Sequence, residues 1–281
     1  MSNVLFYNKD SGAAAVGRVD DNKFHSTQEF GNGSFSTGWT NIADGADLVF
    51  YNRQSGSYGT GSLNQGKFVS GKAFGPGSLA PGWDLVARMV ENTLFYKDDG
   101  SAVILKTNPF TPPFSVIKSF PAGAFAPHWT HIVWSQGVGL FYSAENGAAA
   151  IAEESHSGPG GGFDSPNDIH TITGFPPGSF STGWSRVVAL PDGNLLFYNK
   201  DDGSGAIGAM DQHGFHEIKS FAKGSFAPGW TDIKRVGSSV LFYNSDTRSG
   251  AVGFNPTVES FPANSFSEWT CLASEDDAPV L

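Results

Sequence analysis

The chain has 281 residues, with 17 Lys and Arg against 27 Asp and Glu, a formal net charge of −10 and no basic cluster. That balance excludes nucleic-acid binding through phosphate neutralisation and attachment to an anionic membrane surface. The single cysteine, Cys271, excludes an internal disulfide framework. No apolar run approaches membrane length and the first residues lead straight into a strand, so the expected location is the cytoplasm, or release without a conventional signal peptide.

The first element is an apolar run, VLFYN at 4–8, and near-copies follow at 48–52, 93–97, 139–143, 195–199 and 240–244. A second marker keeps the same beat: Trp39, Trp83, Trp129, Trp184, Trp230 and Trp269, each followed by Thr, Asp or Ser. Six units of about 45 residues use the whole chain, so repetition decides the fold before any local propensity does. They are expected to form one domain over 1–281.

Each unit reads as four short strands. The LFYN strand is continuously apolar, which implies burial on both faces. A turn rich in Asn, Asp, Ser and Gly follows (NKDSG in the first unit), as a tight hairpin requires. The next strand is small and apolar, from Ala13–Val19 in the first unit to Ala251–Phe254 in the last, and the one after it is more polar and ends in Phe. A long Gly/Pro linker, such as GNGSFSTGW, then leads to the Trp strand and back to LFYN.

Four strands repeated six times predict an all-β fold, a six-bladed β-propeller with four antiparallel strands per blade. Tight turns join strands within a blade, so the long linker crosses from rim to axis and the Trp strand is innermost. The chain then starts on a second strand, and Trp269–Ala273 supplies the missing inner strand of that blade. Shared in this way, the two termini close the ring and remove its open edges. The fourth unit is about ten residues longer than the others, giving an inserted loop over 153–173.

Enzyme motifs are absent: there is no GxSxG, no HExxH and no phosphate loop, and GPGGGF at 158–163 has neither a Lys nor a following helix. His156, Asp164, Asp168 and His170 share the inserted loop without metal-ligand spacing, so no metal and no cofactor are expected. The recurring polar and aromatic positions suit several equivalent binding sites. Trp and Tyr offer flat apolar faces to sugar rings, and turn Asn residues can bond hydroxyls. The same aromatic residues also suit the packing of one blade on the next.

Six copies of LFYNxxxG, a small-residue strand and GSFSxGWTxI resemble the repetitive β-propeller lectins: the tachylectin-2-like, tectonin-like and fucose-binding bacterial groups. The resemblance implies a non-catalytic, multivalent protein whose partners are glycans or glycoconjugates. The candidate ligand-binding residues are Trp39, Trp83, Trp129, Trp184, Trp230 and Trp269, with Tyr7, Tyr51, Tyr198 and Tyr243 and the turn residues Asn8, Asn52, Asn199 and Asn244. Lys97 and Ser143 replace Asn in the third and fourth units, which are expected to bind poorly. The alternative is a non-catalytic scaffold holding a protein partner through one face. A third reading, an enzyme working in the axial channel, requires unlike acids and histidines to converge there.

Overall fold

The computed structural model describes residues 2–20, 22–89, 92–106, 114–155, 168–211, 213–253 and 258–275. They form 24 strands in six four-stranded antiparallel sheets, the blades of a propeller. Blade 1 contains β1 (Ser2–Tyr7), β2 (Ala14–Asp20) and β3 (Lys23–Phe30). Blade 2 runs from β4 (Asn41–Ala43) through β5 (Asp47–Tyr51) and β6 (Tyr58–Asn64) to β7 (Lys67–Phe74). In blades 3 to 6 the innermost strands are β8 (Leu85–Arg88), β12 (His131–Ser135), β16 (Arg186–Ala189) and β20 (Asp232–Val236). The last strand, β24 (Cys271–Ser274), pairs antiparallel with β1 and becomes the inner strand of blade 1. Closure falls where the linker argument puts it.

Every inner strand begins two residues after a repeat Trp. The LFY strands are buried on both faces because each lies between two neighbouring sheets. Val4 and Phe6 pack toward blade 6, whereas Leu5 and Tyr7 pack toward blade 2. The apolar core is accordingly divided among six seams between adjacent blades. In the outer strands of five blades a register shift breaks the ladder at the same place, which strengthens the twist and blunts the exposed edge.

The repeated tyrosine is the main fastener of each seam. Tyr7 is fully buried, and its hydroxyl donates to the Ser36 carbonyl at 2.7 Å and accepts from the Trp39 amide at 3.4 Å. Tyr51 does the same with Ala80 and Trp83, Tyr198 with Ala227 and Trp230, and Tyr243 with Ser267 and Trp269. Burial pushes the Tyr7, Tyr96 and Tyr142 hydroxyls up to about 12, so they stay protonated donors. One phenol thus ties a rim-to-axis linker to the inner strand of the next blade. The turn glycine completes the joint. Gly12 has φ 68 and would place a Cβ 2.3 Å from the Phe35 carbonyl, so only glycine fits.

Candidate active site on the propeller axis

Inner strands surround a cavity of about 480 Å³ on the axis. The residue that opens each inner strand pairs with the LFY tyrosine in every blade, so six positions are equivalent by register. They hold Asn41, Leu85, His131, Arg186, Asp232 and Cys271, and all six line the cavity. Opposite six identical tyrosines stand six different side chains. Here the molecule abandons its symmetry.

Asn41, His131, Arg186 and Asp232 also reach the next blade, at its inner strand or at the residue just before it. Asn41 Nδ2 donates to the Asp84 carbonyl at 3.2 Å, Arg186 to the carbonyls of Ser185 and Thr231, and Asp232 Oδ2 accepts from the Leu272 amide at 2.9 Å. His131 Nε2 lies 3.3 Å from the Ser185 carbonyl and Nδ1 lies 2.9 Å from the Thr130 hydroxyl. A carbonyl only accepts, so Nε2 carries the proton; the Thr130 hydroxyl has both Nδ1 and the Tyr142 carbonyl, at 3.1 Å, as acceptors for its single proton. Deeper in the channel, Lys234 of blade 6 pairs with Asp44 of blade 2, passing blade 1, while Asp44 Oδ1 accepts from the Ser274 amide at 2.7 Å.

Electrostatics give these groups different tasks. Burial, reinforced by the charge of Arg186 and opposed by the Ser185 carbonyl, lowers His131 to about 4, so the imidazole is neutral at physiological pH. Burial and then Asp232 push the Cys271 thiol up to about 12, which removes it as a thiolate nucleophile. Asp232 is raised above the usual carboxylate range by burial, with Lys234 and Arg186 pulling it back. A carboxyl raised by burial yet faced by two cations suits proton transfer in a cleft.

The residues expected to bind a ligand lie elsewhere. Tyr7, Tyr51, Tyr198 and Tyr243 are at most 1% exposed and offer a ligand no surface. Asn8, Asn52, Asn199 and Asn244 fold their side-chain oxygens back onto amides two or three residues on, as hairpin caps do. Trp39 and Trp83 are buried in seams, while Trp129, Trp184, Trp230 and Trp269 are partly open and pack beside the LFY phenylalanines. None of these residues lines the axial cavity, but Trp39, Trp129, Trp184 and Trp230 line cavities in the seams. Asp168 pairs with Lys118, and His156 and Asp164 lie outside the described residues. Among the described residues no three His, Cys, Asp or Glu side chains gather into a metal-binding group.

No protein-family model matches the chain, and no curated protein matches it. Solved structures do. The periplasmic gluconolactonase of Pseudomonas aeruginosa superposes with a TM-score of 0.59 at 12% identity, covering 97% of this chain and 98% of that one. A protein from Lactobacillus plantarum gives 0.57 at 11%, covering 98% and 99%. A candidate 6-phosphogluconolactonase from Bacteroides uniformis gives 0.53 at 14%, covering 95% and 82%. At these identities the likeness establishes the propeller fold.

Two expectations need correction. The chain was expected to be a lectin, or failing that a scaffold, and in either case not an enzyme. The solved propellers that match it nearly end to end include lactonases, which are hydrolytic enzymes, and none of these three is described as a lectin. Sixfold sameness in this chain belongs to the packing between blades and does not signal six equivalent binding sites. The repeated residues fasten seams, whereas the column facing the axis differs in every blade. The resemblance to lectins holds as far as the propeller and no further.

Proposed function

We propose that the protein is a hydrolase of small cyclic esters, working in the axial cavity. The observation that carries this reading is the ring of six unlike residues on the axis, with Asp232 faced by Arg186 and Lys234. The lactonases among its structural neighbours support the choice of substrate. Asp232, as carboxylate, takes a proton from a water whose oxygen bonds to the ester carbonyl carbon. The carbonyl oxygen becomes an oxyanion, stabilised by the positive charge of Arg186 and Lys234. The ring C–O bond then breaks, and its oxygen leaves with the proton returned by Asp232. The product is an open hydroxy acid. His131 stays neutral and holds the wall in register, because both ring nitrogens are engaged.

Incubating the protein with δ-gluconolactone and related sugar lactones, and following acid release, tests the reading. Turnover above the spontaneous rate is expected, and loss of that turnover in Asp232→Asn. Failure to open any lactone, or full activity in Asp232→Asn, would remove the assignment.

A further inference from the structure

The seams are alike in their fasteners but not in how well they are filled. Cavities of about 280 Å³ and about 330 Å³ lie in the seams between blades 1 and 2 and between blades 4 and 5. The seams between blades 3 and 4 and between blades 5 and 6 hold larger ones, of about 630 Å³ and about 640 Å³. For the seam between blades 3 and 4 the difference has a cause in sequence. In blade 2, Phe68 enters the seam over Gly61, where a Cβ would come within 2.5 Å of its ring. Phe215 sits likewise over Gly208 in blade 5, and Phe24 over Gly17 in blade 1. These rings reach the linker phenylalanines, Phe68 at 4.7 Å from Phe35, Phe215 at 4.7 Å from Phe180 and Phe24 at 5.2 Å from Phe266.

Blade 4 lacks the plug. Its strands β14 (Ala149–Glu154) and β15 (Ile169–Phe175) place Ala152 where Gly17, Gly61 and Gly208 stand, and Ile169 where the three phenylalanines stand. Ile169 is branched and short, so Phe125, Trp129 and Phe141 line open space. The upper wall departs from the repeat as well. Ser143 replaces the turn Asn; it is 1% exposed, lines the same cavity, and its hydroxyl oxygen has no hydrogen-bond partner. An apolar cleft left unfilled forgoes dispersion contacts, and a buried polar atom left unpaired costs more.

We propose that this seam is a second ligand site, separate from the axial one, for a small flat aromatic molecule bearing a hydroxyl. The aromatic body takes the place that a phenyl ring occupies in blades 1, 2 and 5. The hydroxyl supplies Ser143 with its missing partner. Neither feature depends on what the axial cavity does.

The probe is 2-naphthol, measured by titration calorimetry on the whole protein. Wild type should bind one molecule per chain. The double variant Ala152→Gly/Ile169→Phe, which restores the pair used in blades 1, 2 and 5, should bind at least tenfold more weakly while melting no earlier. Ser143→Ala should weaken binding severalfold, and Asp232→Asn should leave it unchanged. Absence of binding to wild type, undiminished binding to the double variant, or loss of binding in Asp232→Asn would overturn the proposal.

Discussion

The seams and the axis are built from the same six repeats and behave in opposite ways. In a seam, the repeat supplies the same tyrosine, tryptophan and phenylalanine each time, because every blade must meet its neighbour at the same angle. On the axis, the residue opposite that tyrosine is Asn41, Leu85, His131, Arg186, Asp232 or Cys271. Repetition in this molecule measures structural duty. Under the proposed function, departure from repetition marks where one unsymmetrical substrate is held.

That contrast is broken most severely by removing the axial carboxylate. Asp232→Asn should lower kcat by about 10²–10⁴-fold, the usual worth of a proton-transfer group, with little change in melting temperature. Tyr51→Phe should do the reverse. Lys234→Ala comes next: it leaves Asp44 charged and largely buried without its partner, and chemical denaturation should report a loss of about 3–5 kcal/mol.

The contribution of His131 separates itself by pH. Its folded value of about 4 lies below its ordinary 6.5, so the unfolded chain binds the extra proton between them. The stability it gives is complete above pH 6.5 and fades as pH falls toward 4, by no more than about 3 kcal/mol. His131→Gln should flatten that part of the stability–pH curve. The seam fasteners give the smallest effect. Tyr51→Phe strands the Trp83 amide and the Ala80 carbonyl and should cost about 1–3 kcal/mol, read as a lower melting temperature with kcat unchanged.

Much of this was legible in the sequence, and the reasons are physical. Strand order and ring closure followed from turn length, since a tight hairpin cannot span a blade and the GSFSTGW linker can. The burial of LFY on both faces followed from an unbroken apolar run. The axial residues were equally on the page, two positions after each Trp, but a search for repeats passes over a column whose content changes every time. The pairing of Lys234 with Asp44 was not legible, because 190 residues separate them and only closure of the ring brings blades 6 and 2 together around blade 1. The open seam at Ile169 needed the register of β14 on β15, which a shift between Ile151 and Ala152 hides from simple alternation.

The most direct test of the division between axis and seams is a crystal structure of Asp232→Asn soaked with δ-gluconolactone. One lactone in the axial cavity, with its carbonyl oxygen toward Arg186 and Lys234, is the predicted result. Lactone bound only in the seams beside the repeat tryptophans, with an empty axis, would contradict the account.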